Sequence, residues 1–217
     1  MKDFIMKRKD NYWWERTLVL FGRHFIMLLV NSPITPNMVT MSNLLIVVPL
    51  VIFSAYNKMY YLLALLIQVY AFLDVVDGNL ARNKNMKSEW GHKLDIFSDS
   101  VFYIVAFFFI GKGLEVPLYE IICFIVIQQF YGFIATFYIV PRINKLHKFK
   151  HTHIKEYFLN HDILFGMDAT FETLITSIFL LFPFRKVIYI ICPLLWMIDL
   201  IYRLYELNWI NRKNFEK

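Results

Sequence analysis

The chain has 217 residues, 58% of them hydrophobic and 18% charged, with a formal net charge of +6 and a mean hydropathy of +0.48. Apolar runs this numerous exclude a soluble core and define an all-α polytopic membrane helical bundle. The basic excess argues against a nucleic-acid partner, because the Lys and Arg residues alternate with the apolar runs and fit topology and anionic-lipid attraction.

Residues 1–32 form a juxtamembrane segment. Leu18, Phe21, Phe25, Leu28 and Leu29 recur at helical spacing, Arg16, Arg23 and His24 interrupt them, and Trp13 and Trp14 suit the headgroup level. This pattern predicts an interfacial amphipathic helix, with an additional buried helix as the alternative. A cleavable signal is not expected, since Arg23 and His24 break the run and no small-residue cleavage site follows. Residues 33–210 read as one membrane domain with six transmembrane helices, at about 37–56, 60–82, 92–111, 117–140, 162–183 and 187–207, each near the roughly 20 residues a bilayer requires. Residues 211–217 form a short basic tail.

Orientation follows from the connections. Nineteen Lys and Arg fall on the side of both termini and of the second-to-third and fourth-to-fifth connections, against four (Lys58, Lys112, Arg185, Lys186) on the other. Cytoplasmic loops are enriched in positive charge, so both termini and the end shared by the second and third spans are expected to face the cytoplasm.

Those two spans carry the most informative residues, Asp74-x2-Asp77-Gly78-x2-Ala81-Arg82-x8-Gly91-x3-Asp95-x3-Asp99. At about 100° per residue, Asp74, Asp77, Gly78 and Ala81 fall within roughly 100° of arc, and Asp95 and Asp99 lie about 40° apart on the next helix, one turn after Gly91. If the helices pair, four carboxylates converge. Carboxylates at membrane depth are costly unless they hold a metal, a proton or a partner charge. Hard cations such as Mg²⁺ or Mn²⁺ prefer oxygen ligands, and two of them could share this set while leaving positions for substrate phosphates. The small residues Gly78, Ala81 and Gly91 would provide the room.

All eight positions match the signature of the CDP-alcohol phosphotransferases, which this chain resembles. These are integral membrane enzymes that move a phosphoryl-linked alcohol from CDP to an acceptor hydroxyl. Thr35-Pro36-Asn37-x2-Thr40 is similar to the opening of that family's first membrane helix. The resemblance implies Asp74, Asp77, Asp95 and Asp99 beside the metals, with Asp99 as general base, and expulsion of CMP. Arg82 would pair with phosphate or a metal-bound acid, and Gly78 and Ala81 would let the nucleotide approach. Asn37 and Thr40 are candidates for nucleotide contacts or, alternatively, for capping the first span. Relatives often dimerise.

The acceptor is less legible. Arg142, Lys145, Lys148 and Lys150 could bind a phosphorylated acceptor or simply reflect topology. Asp168 and Glu172 could bind a polyol, a cation or Arg203. Asp99 is followed by Ser100, where glycerophosphate-transferring relatives commonly have Lys, and Asp95 by Ile96, where the serine and inositol branches often have Ser. The expected donor is CDP-diacylglycerol in phospholipid biosynthesis. The alternatives are a soluble CDP-alcohol such as CDP-choline with a lipid or glycan acceptor and, from another class, an intramembrane cation transporter. Transport would call for acids at the midplane and an internal repeat, neither of which the chain offers. Cys123 and Cys192 read as small core residues. His147, His151, His153 and His161 read as a solvated basic loop rather than a zinc site.

Overall fold

The computed structural model describes residues 12–139, 141–142 and 166–215. Helix α1 runs Trp13–Val30 and buries Leu18, Val19, Gly22, Ile26 and Leu29. Phe21, Phe25 and Leu28 are exposed, so the apolar stripe expected of a single face is divided between protein and surroundings. At Gly22 the helix comes close to its neighbour: a Cβ there would lie 2.6 Å from the Phe72 ring.

Helix α2, Pro36–Tyr56, starts where Thr35 Oγ1 accepts the Met38 amide at 3.3 Å, with Pro36 in the first turn. A missing N–H costs nothing at that position, and Thr35 supplies the cap. Asn37 and Thr40 are therefore free of the capping role that was their alternative. Helix α3, Tyr60–Asn83, is the hub: α1 and α2 pack on it, and so does α6, introduced below. Helix α4 is Glu89–Gly113 and α5 is Leu118–Ile139. Each of α2, α4 and α5 contains a π-helical turn, at Asn43–Val47, Phe102–Ala106 and Ala135–Ile139.

The α2–α3, α3–α4 and α4–α5 connections are stopped by one device. Lys58, Asn85 and Glu115 adopt positive φ of 55°, 55° and 59°. The following amides reach back to the carbonyls of Ser54, Ala81 and Gly111 at 2.9 Å each. These are left-handed Schellman caps built without glycine.

The fifth predicted span, 162–183, is corrected. Within 162–183 the helix α6 covers only Ala169–Leu180, 12 residues or about 18 Å, which is too short for a hydrocarbon core of about 30 Å. Residues 166–168 are not helical, and extended Asp168 accepts the Phe171 amide at 3.0 Å, fixing the start. At the other end Arg185 Nε donates to the Leu180 carbonyl at 2.7 Å. Helix α7, Ile188–Phe215, follows a 3-10 turn at Arg185–Val187. Five helices among the described residues are long and apolar enough to cross a membrane, not six: α2, α3, α4, α5 and the stretch Arg185–Asn208.

The main core joins α2 to α5 and α7 through Ile67, Phe102, Phe107, Phe124, Tyr189 and Trp196. Cys192 is buried in it as expected, whereas Cys123 is exposed on α5.

Candidate active site

The signature acids meet at one end of the α3–α4 pair. Ser88 caps α4, its Oγ accepting the Gly91 amide at 3.0 Å, and the turn through Asn85 returns the chain so that α4 starts beside the last turns of α3. Asp74, Asp95 and Asp99 each offer one oxygen such that the three lie within 4.8 Å of one another. At that spacing two unit charges repel by about 3 kcal/mol in a medium of effective dielectric 20. A hard divalent cation removes the repulsion, and an all-oxygen donor set suits it.

Asp77 stands outside that group of three. It is buried, and its Oδ2 accepts the Thr40 hydroxyl at 2.6 Å; the Pro36 carbonyl lies farther from the same hydroxyl, at 3.2 Å. The convergence expected of four acids is thus three in a cluster and a fourth beside it, held by α2.

Two cavities flank the acids. The first, 260 Å³, is lined by every residue expected to contact the nucleotide, Asn37, Thr40, Gly78, Ala81 and Arg82, together with Lys87, Ser88 and His92. The second, 310 Å³, is lined by Asp74, Asp95 and Asp99 with Tyr12, Glu15, Asp168 and Thr170. Asp77, Gly78, Arg82 and Asp95 border both. A Cβ on Gly78 would meet only Arg82, at 3.6 Å, so this glycine leaves open space in the cavities. A Cβ on Gly91 would lie 2.9 Å from Asn37 Oδ1 and 3.0 Å from Ser88 Oγ. Gly91 therefore makes room for the α2–α4 contact, and it also lines the first cavity. Arg82 Nε is buried with no hydrogen-bond partner among the described residues.

The acceptor candidates separate. Arg142 folds back on its own helix, its guanidinium 3.5 Å from the Tyr138 ring centroid and donating to the Tyr138 carbonyl at 3.0 Å, and it lines neither cavity. Lys145, Lys148, Lys150 and the four histidines of that connection lie outside the described residues. Asp168 borders the second cavity and accepts the Thr170 hydroxyl at 2.7 Å as well as the Phe171 amide. Burial pushes its carboxyl up to about 6, against the opposing effect of those bonds. Arg203 pairs instead with Asp199, at 2.5 Å, and with the Tyr12 hydroxyl, and Glu172 accepts from Gln128 at 2.5 Å.

Tyr70 was not legible as a site residue. It sits one turn before Asp74 inside an apolar run, and its hydroxyl donates to Asp99 Oδ1 at 2.9 Å. The only signal was a phenol four residues before the first acid, on the same face.

Fold and site together define an integral membrane protein with a carboxylate centre able to coordinate a divalent metal. The model of the CDP-alcohol phosphatidyltransferase family matches residues 33–199, and the chain belongs to that family of enzymes. The structure is also similar to a crystal structure of Mycobacterium tuberculosis phosphatidylinositol phosphate synthase with CDP-DAG bound. The TM-score is 0.58 at 14% identity, covering 88% of this chain and 94% of that one, a likeness of fold. No curated protein matches the chain in sequence.

Proposed function

We propose that the protein transfers the phosphatidyl group of CDP-diacylglycerol to the hydroxyl of a small polar alcohol, releasing CMP. The observation that carries this reading is the placing of the Asp74–Asp95–Asp99 cluster against a cavity lined by Asn37, Thr40, Gly78, Ala81 and Arg82. The fold relative whose crystal structure holds CDP-DAG supports the choice of donor.

Asp74, Asp95 and Asp99 would hold a Mg²⁺ or Mn²⁺ ion, and Asp77 adds a carboxylate for a second. Bound there, the cations supply charge neutralisation of the pyrophosphate and of the transferring and leaving oxygens. Arg82, bordering both cavities, faces phosphate from the protein side. Asp99 takes the proton of the acceptor hydroxyl as the oxygen attacks the phosphorus that bears diacylglycerol. The bond from that phosphorus to the CMP oxygen breaks, and CMP leaves through the first cavity. Asp168, Thr170 and Tyr12 face the acceptor across the second. The Lys and Arg distribution supports an active site on the cytoplasmic side, where soluble nucleotide chemistry takes place.

The test is CMP release by the purified protein in lipid, with CDP-diacylglycerol and with water-soluble CDP-alcohols, across a panel of acceptors and with or without Mg²⁺ or Mn²⁺. Metal-dependent release from CDP-diacylglycerol with one acceptor is expected. Release only from a soluble CDP-alcohol would reverse the donor assignment.

A further inference from the structure

Three independent contacts fix Tyr70, and its hydroxyl, beside the Ser98 side chain, donates to one of the clustered carboxylates. Its carbonyl accepts the Asn43 side-chain amide at 3.1 Å, tying α3 to the first π turn of α2. Its ring lies flat on Phe102, centroids 3.5 Å apart and planes 6° from parallel, at the first residue of the π turn in α4. Tyr103 packs edge-on against it, with centroids 6.5 Å apart. The residue is 1% exposed, so its hydroxyl has to find partners inside the protein: it donates to Asp99 Oδ1, and the Ser98 side chain is a second partner. Two of the π turns thus converge on one residue, the first at its backbone carbonyl and the second at its ring, and such turns are frequent at functional sites.

Tyr70 lines neither cavity, so it touches no substrate placed there. What it does touch is a carboxylate whose orientation matters. A carboxylate can rotate about its last bond, and Asp99 stands between two competing demands, the other acids on one side and the buried phenol on the other. Donation to Oδ1 fixes the carboxylate plane and leaves the second oxygen uncommitted. Hydrogen bonds from an outer group to a metal-ligating side chain are worth about 10–100-fold in metal affinity, because they remove the rotational freedom that ligation would otherwise have to freeze.

We propose that Tyr70 is a positioning residue that holds the Asp99 carboxylate ready for the divalent cation. This rests on the metal-dependent reading given above, but it can be tested without knowing donor or acceptor. The variant is Tyr70→Phe, which keeps the ring, its volume and its stack on Phe102 and removes one oxygen. The probe is Mn²⁺ alone, with affinity read by electron paramagnetic resonance and by the rise in melting temperature that the ion produces in the purified protein in lipid.

Tyr70→Phe is expected to bind Mn²⁺ at least about tenfold more weakly than the parent and to show a smaller Mn²⁺-induced rise in Tm. In an Asp99→Asn background the same change is expected to have no further effect on affinity, since the route through Asp99 is already gone. Unchanged Mn²⁺ affinity, with or without a lower metal-free Tm, would overturn the proposal and leave Tyr70 as a core residue. So would an additive effect in the Asp99→Asn background. A parent protein that binds no Mn²⁺ would sink the metal-dependent reading itself, and the role of Tyr70 with it, whereas CMP release is not needed for any of these outcomes.

Discussion

The Thr40 hydroxyl donates to Asp77 Oδ2 at 2.6 Å, joining α2 to the signature on α3 across 37 residues of chain. The contact explains why the short motif at the start of α2 accompanies the acids, since the fourth carboxylate takes its orientation from it. A hydrogen bond to a charged group contributes about 1.5–3 kcal/mol, and leaving a buried acceptor unpaired costs at least as much. Thr40→Val, similar in shape but without a donor, is expected to lower CMP release by roughly tenfold or more, while Thr40→Ser retains most of it. Steady-state rates of the two variants at saturating metal check this; equal rates would show that the bond is incidental.

Asp99→Asn is expected to reduce turnover by about 10²-fold or more, the usual contribution of a positioned base, with a much smaller effect on donor binding. Preserved turnover would remove Asp99 from the proton-transfer role. Chelation of divalent metal with EDTA is expected to abolish release by the parent, with recovery on adding Mg²⁺ or Mn²⁺.

At the far end of the bundle, a Cβ added to Gly113 would run into the backbone carbonyl of Ala55, an atom that cannot swing aside. Gly113→Ala is therefore expected to cost about 1–3 kcal/mol, the range for overpacking a well-filled site. A melting temperature in lipid equal to that of the parent would show that α2 and α4 separate there without penalty.

Asn85 holds φ of 55° between the two signature helices. Asn tolerates this region better than Ala, which pays about 1 kcal/mol for it. Asn85→Ala is expected to lower stability by that amount, and Asn85→Gly to leave it unchanged or raise it. The comparison needs only thermal melting of the two variants side by side.

The Asp168 carboxyl is pushed up to about 6 by burial. A folded value above the ordinary 3.8 means that the folded protein binds the proton more tightly than the unfolded chain does. The contribution to stability is thus full below about pH 4 and is lost as pH rises through about 6, by on the order of 3 kcal/mol for a shift of about two units. Asp168→Asn keeps an efficient helix cap but cannot titrate. It is expected to flatten that part of the stability profile between pH 4 and 7, measured by melting temperature, and an unchanged slope would assign the dependence to other groups.

The convergence of the acids beside Gly78, Ala81 and Arg82 was legible because a helix converts spacing into position, and carboxylates leave few bland uses at membrane depth. Asp74, Asp95 and Asp99 follow that rule directly. Asp77 did not join them because its partner, Thr40, comes from a different helix, and no periodicity within α3 reports that. Tyr70 was hidden for the same reason: a lone phenol in an apolar run has no pattern until α4 brings Asp99 to it. The fifth predicted span failed differently. A hydropathy window adds apolar residues without asking where the helix begins, and Asp168, by capping α6, starts it too late to cross.

Helices α2 and α4 pack along their length, with glycines at both ends of the contact, Gly113 against the Ala55 backbone and Gly91 against Asn37. Between Ala55 and Asn37 lie 18 residues, about 27 Å of helix. The first contact has no side chain to compress, and the cavity lined by Asn37 lies at the other end of the same pair. A rotation of one degree about Gly113 would move Asn37 by roughly half an ångström over that length. A methyl group placed at the far end of the bundle would thus be felt, magnified, at the mouth of the cavity beside the acids.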